Sequence, residues 1–126
     1  MNKMIWIMTI LTLSFLAVNP VMGEDKVNFS QEELIEISEN FFQYLSAGKY
    51  DLVEELFAPN VQEIMPLEAL KEMWENLTSD LGLLKEVKDY RVTVEGGYQT
   101  IYARCEFEKA EFKAKLVFSE EGKIIG

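Results

Sequence analysis

Gly96 and Gly97 stand between two runs in which apolar and polar residues alternate, and no other feature constrains the fold of this chain as tightly. Only glycine takes positive φ at two successive positions without steric cost, so the pair reads as the two-residue turn of a β-hairpin. Before it, Tyr90, Val92 and Val94 alternate with Arg91, Thr93 and Glu95. If Glu95 pairs with Tyr98, then Val92 faces Ile101 and Tyr90 faces Ala103. Both apolar sets then share one side, as a half-buried sheet requires. The second strand carries Phe107, and after a tight turn Phe112, Ala114, Leu116 and Phe118 resume the apolar face. Pairing Phe107 with Phe112 sets Glu106 opposite Lys113, an opposite-charge pair that favours this register. Glu120-Glu121-Gly122-Lys123 forms another turn, and Ile124-Ile125-Gly126 begins a further strand.

Upstream the apolar period is that of a helix. Ser30, with Glu33 three residues on, forms a capping box. Leu34, Ile37, Phe41 and Leu45 follow at helical spacing, and Gly48 stops that helix. A short second helix presents Leu52, Val53, Leu56 and Phe57 on one side, and Pro59 is expected to end it. A third starts near Pro66 or Leu67, with Leu67, Leu70, Trp74, Leu77 and Leu81 as its seam and Gly82 as its stop. Helices followed by antiparallel strands predict one α+β domain over residues 24–126.

The first 23 residues read differently. A positive start at Lys3 precedes an apolar run from Met4 to Val18, too short for a comfortable membrane span and suited to a secretory signal. Asn19-Pro20 ends that run, and Val21-Met22-Gly23 places a small residue before a cleavage expected at Glu24. The protein is therefore expected to be secreted or extracytoplasmic, with no stable membrane insertion after cleavage. The alternative is an uncleaved N-terminal anchor. Cleavage removes Lys3 and no acid, so the formal charge moves from −10 to −11. A field of that sign repels phosphate backbones, which argues against a nucleic-acid partner.

The chemical inventory is narrow. With no histidine and one cysteine, a Ser-His-Asp or Cys-His arrangement and a His/Cys zinc site have no source within one chain. No phosphate-cradling glycine loop and no calcium loop is present, and no metal or cofactor is expected. Cys105 has the core-facing parity of its strand, beside Ala103 and Phe107, where a thiol is usually inert.

Phe41-Phe42 before Gly48-Lys49-Tyr50-Asp51, then Leu56-Phe57, Trp74 with Leu77 and Gly82, Cys105-Glu106-Phe107, Val117-Phe118 and Glu121-Gly122-Lys123-Ile124 carry a resemblance over roughly Glu32 to Ile125. Together they resemble an uncharacterised domain family of bacteria and archaea, often secreted and sometimes placed N-terminal to an α/β-hydrolase domain. That family is similar in layout to the nuclear transport factor two-like, cystatin-like fold, a cone of helices on a curved antiparallel sheet. The resemblance implies a pocket between the helices and the concave sheet face. Tyr44, Trp74, Tyr90 and Cys105 are candidates to line it, for a small apolar ligand. Relatives of this fold use a tyrosine with a carboxylate there for proton transfer, and Tyr90 is the residue placed for such a role. No acid shares the apolar parity of the first two strands, however: Glu95, Glu106 and Glu108 point the other way.

The opposite sheet face carries Arg91, Tyr98, Tyr102 and Arg104, residue types enriched at interface hot spots, and in this fold that face often pairs with a partner subunit. Three functions remain open at this point. One is a non-enzymatic binding or dimerisation module acting through the sheet face or an apolar pocket, which the empty catalytic inventory favours. Another is an enzyme, a small-molecule isomerase or hydrolase-like protein using Tyr90 and a carboxylate. The third, separate from both, is an accessory domain to a secreted hydrolase.

Overall fold

A computed structural model of the chain describes residues 29–126. The expected signal over residues 1–23 and its cleavage site lie outside them. Helix α1 spans Gln31–Ala47 and opens on the expected capping box. Glu33 donates its N–H to the Ser30 hydroxyl at 3.1 Å, and Ser30 donates its N–H to the Glu33 carboxylate at 2.9 Å. Leu34, Phe41, Phe42 and Leu45 turn one side of α1 into the core. Helix α2 (Tyr50–Leu56) follows, then α3 (Pro59–Ile64) and α4 (Leu67–Leu81), in which Leu70 and Trp74 are buried.

Helix α3 corrects one expectation: Pro59 opens a helix rather than ending one. It occupies the first turn, where its missing N–H removes a donor that would have had no partner. Ala58 before it stays extended and donates its N–H to Ile124 O at 2.9 Å.

The sheet is antiparallel, curved and unclosed, in the order β1 (Leu84–Glu95), β2 (Tyr98–Phe107), β3 (Glu111–Phe118). The first hairpin has the expected register: Glu95 pairs with Tyr98, Val92 with Ile101 and Tyr90 with Ala103. Strand β1 begins six residues earlier than its alternation suggests, because the register shifts twice, between Leu84 and Glu86 and between Val87 and Asp89. Each shift is a bulge that adds one residue to β1. Leu84, Val87 and Tyr90 stand three apart yet pair with Phe107, Cys105 and Ala103, all on the core side of β2.

The second hairpin departs from expectation. Phe112 pairs with Cys105, Glu106 with Glu111 and Arg104 with Lys113, a slip of two residues from the Phe107–Phe112, Glu106–Lys113 register. A slip of two preserves the apolar face, so burial cannot choose between the registers. The turn chooses. Phe107 N–H donates to Ala110 O at 2.9 Å, while Glu108 and Lys109 donate their N–H groups to Leu83 O and Leu81 O at 3.0 and 2.8 Å. Those bonds pin the turn at Glu108–Lys109 and outweigh one exposed charge pair, worth about 0.2–1 kcal/mol. The charges pair around the slip: Lys88 bridges Glu106 and Glu111 at 3.8 and 3.2 Å.

The further strand expected at the C-terminus is only a pair of bridges. Ile124 pairs with Phe57 in parallel and with Phe118 antiparallel, and it donates its N–H to Leu56 O at 2.9 Å. The core thus lies between α1, α2 and α4 and the inner sheet face, with Trp74 against Phe107 at 5.8 Å between ring centres. No helix among the described residues is long and apolar enough to cross a membrane.

Candidate functional site

Among the described residues, two cavities open between the helices and the inner sheet face. The first lies between α1 and the bulged half of β1. Glu39, Gln43 and Ser46 fall on one stripe of α1, at i, i+4 and i+7, and face Leu84, Val87 and Tyr90 across a space of about 660 Å³. The bulges bend β1 so that Tyr90 projects into this space opposite a carboxylate that comes from a helix. A search for acids confined to the strands misses Glu39, although its stripe with Gln43 and Ser46 was readable.

Tyr90 and Glu39 share the cavity without a hydrogen bond between them among the described residues. Burial first, then the negative charges of Glu39 and Cys105, pushes the Tyr90 hydroxyl up to about 12 from an ordinary 10.0. Tyr90 is therefore a neutral phenol across the physiological range, able to donate a hydrogen bond but not to act as a phenolate base. The contribution of the neutral buried hydroxyl to stability is complete below pH 10 and is lost as pH rises through about 12. A spectrophotometric titration is expected to show a phenolate step near pH 12 that disappears in Tyr90→Phe. A titration whose late step survives that substitution would assign it to another tyrosine.

The second cavity is apolar and lies between α4 and β3, with about 570 Å³ of space. Trp74, Leu77, Phe107 and Leu116 line it, with Met73 and Phe112 at its rim. Met73 is 38% exposed and Phe112 41%, so a thioether and a phenyl ring face solvent on either side of an apolar trough. Asp80 stands among the lining residues, and β3 contributes Lys113 and Lys115. Phe112 packs edge-on against Phe107 at 6.4 Å between centroids.

The four pocket candidates do not converge. Tyr90 lines the first cavity, Trp74 and Cys105 the second, and Tyr44 packs half-buried against the core and lines neither. Burial raises the Cys105 thiol to about 11, so it is protonated across the physiological range and carries charge only at the high pH where Tyr90 titrates; its Sγ lies 3.9 Å from Ala103 O. Met73 and Phe112, at the lip of the apolar groove, have no local signal of exposure. Each continues an apolar pattern, and only the tertiary spacing of α4 and β3 leaves it open.

The interface candidates form an internal network on the outer face. Arg104 binds Asp89 at 2.6 Å and approaches Glu111 at 3.5 Å. The Tyr102 hydroxyl donates to Glu95, whose carboxylate oxygens lie at 2.8 and 2.9 Å, and the Arg91 guanidinium lies 4.8 Å from the centre of the Tyr102 ring. The Arg104 hydrogen bond holds the Asp89 carboxyl below its usual range, and the Tyr102 hydrogen bond does the same for Glu95. Tyr98, beside the hairpin turn, is 48% exposed.

Over 98 residues the chain is 21% identical to the esterase EstD of Thermotoga maritima, an alignment that covers 78% of this chain and 23% of that protein. The chain thus spans less than a quarter of the length of the curated relative it matches. No solved structure matches it. A family model described as a protein of unknown function, DUF3887, matches residues 38–126, from the middle of α1 to the C-terminal bridge, and the chain belongs to that family.

Proposed function

We propose that this domain is a non-catalytic binding module that receives its ligand in the apolar groove between α4 and β3. The observation that carries this reading is the groove itself. Trp74 and Phe107 line an apolar space flanked by two exposed side chains, Met73 and Phe112, whose burial is a source of binding free energy. The likeness to an esterase fits the same reading. A chain without histidine has no imidazole for a serine triad, so the shared stretch suits an appended recognition domain better than the ester-cleaving part. The outer sheet face supports self-association less well, because Arg104 and Tyr102 are already engaged by Asp89 and Glu95.

A second, catalytic reading draws on Glu39 and Tyr90 sharing the other cavity. One set of variants separates the two. Anilinonaphthalene sulfonate, an apolar fluorescent probe, is expected to bind the full chain, with affinity falling about tenfold in Met73→Glu and unchanged in Tyr90→Phe. Hydrolysis of nitrophenyl acetate by the chain is expected to match the buffer rate. Turnover that disappears in both Tyr90→Phe and Glu39→Gln would replace this reading with the catalytic one.

A further inference from the structure

Strand β3 lies at the edge of the sheet, and the direction of its backbone groups follows from the ladder. Phe107 N–H donates to Ala110 O, and hydrogen-bonded pairs alternate along an antiparallel ladder. Cys105–Phe112, Ala103–Ala114 and Ile101–Leu116 are therefore the bonded pairs. The N–H and C=O groups of Lys113, Lys115 and Val117 point away from β2. Val117 uses both of its groups on that side: its N–H donates to Gly126 O and its C=O accepts from Ile125 N–H, each at 2.8 Å. The outward backbone groups of Lys113 and Lys115 have no partner among the described residues. Immediately inside this stretch of edge lies the apolar groove, whose lining includes both lysines. On the outer side Lys115 makes one long ion pair, 3.5 Å to Glu95, and Lys113 makes none among the described residues.

We propose that this edge takes an added strand: an extended segment of a partner protein, running antiparallel to β3, with apolar side chains alternating with carboxylates. The inference rests on the groove being the binding site and names what fills it. A strand beside Lys113 and Lys115 satisfies their free donors and acceptors, and its period of two sends every second side chain over Phe112 and Leu116 toward Met73 and Trp74. The intervening side chains then stand on the outer face beside Lys113 and Lys115, where carboxylates are favoured on charge. Ile125 and Gly126 already lie along the same edge after the antiparallel bridge of Ile124 to Phe118, so the direction is one the edge accommodates. A second copy fits worse. Two β3 edges paired antiparallel about Ala114 set Lys113 against Lys115 twice, and edge lysines commonly guard against self-pairing.

The test uses the full chain and three end-blocked seven-residue peptides read by fluorescence anisotropy. One alternates glutamate with valine, one alternates lysine with valine, and one is the glutamate–valine peptide N-methylated on the amides that would face β3. The first is expected to bind about tenfold or more tighter than either of the others. Lys115→Pro removes an outward N–H without touching the β2 ladder, and it is expected to weaken the first peptide more than Lys115→Gln does. Equal binding of the three peptides would overturn strand addition. So would failure of the first peptide while anilinonaphthalene sulfonate still fills the groove, a result that leaves the groove reading intact. Failure of both probes would sink both readings. A dimer in sedimentation that Lys115→Pro dissolves would assign the edge to a second copy and end the proposal.

Discussion

Phe118→Ala is expected to cost this domain about 3–5 kcal/mol, a large share of the 5–15 kcal/mol by which domains of this size are stable. Phe118 is 1% exposed and, among the described residues, is the largest side chain buried to that degree. It stands where three parts of the chain meet. Its strand ends there, Ile124 bridges its backbone, and the same Ile124 bridges Phe57 at the junction of α2 and α3. Removing the ring leaves a cavity among side chains fixed by those bridges, and a site that cannot collapse loses both transfer free energy and contact. In urea the unfolding midpoint is expected to fall steeply while the slope stays the same. Val94→Ala supplies the control. Val94 is 61% exposed, and its truncation is expected to change stability by no more than about 0.5 kcal/mol. Equal shifts for the two variants would mean that Phe118 is not part of the core.

The second large effect is expected at Gly82, which joins α4 to β1. Its φ of 85° and ψ of −174° lie in a region that is essentially restricted to glycine, where another residue costs about 1–3 kcal/mol. A Cβ there would also stand 2.7 Å from Cβ of Glu108. Glu108 is not free to retreat, since its carboxylate accepts Leu83 N–H at 3.1 Å and its own N–H donates to Leu83 O. Gly82→Ala therefore strains the backbone and disturbs the contact that sets the second hairpin. Gly48→Ala is the comparison. Gly48 has φ 75° and ψ 17°, and no atom lies within 4 Å of the added carbon, so only the ordinary left-handed cost of about 1–2 kcal/mol applies. Thermal denaturation is expected to rank Gly82→Ala clearly below Gly48→Ala. The reverse order would show that Glu108 yields without cost.

Glu108 also explains how far the sequence could be read. Features fixed by neighbouring residues were legible: the Ser30–Glu33 capping box, the ends of α1 and α4 at Gly48 and Gly82, and the Gly96–Gly97 hairpin with its register. Features fixed by distant contacts were not. The second register depends on where Glu108 and Lys109 find carbonyl partners, and those belong to Leu81 and Leu83, more than 20 residues back. Charge complementarity between Glu106 and Lys113 pointed to a different register because exposed pairs are weak and replaceable. The bulges of β1 are an intermediate case. Leu84, Val87 and Tyr90 at intervals of three resemble a helix more than a strand, yet two inserted residues bring all three to one face.

The candidate sites divide in the same way. Trp74 and Tyr90 were identifiable as large residues of apolar parity, but which cavity each would line depends on the angle between helices and sheet. Met73 and Phe112 are ordinary members of apolar patterns, and their exposure arises because α4 stands away from the edge of β3. Glu39 supplies the carboxylate that the strands do not, from a helix whose opposite side is core.

The binding reading is tested most directly by mapping amide chemical shifts of the labelled chain as anilinonaphthalene sulfonate is added. The groove account predicts that the shifts move at Met73, Trp74, Leu77, Phe112 and Leu116, with Glu39, Gln43, Ser46 and Tyr90 unaffected. Shifts confined to the Glu39–Tyr90 cavity, or spread evenly over the acidic surface, would contradict it.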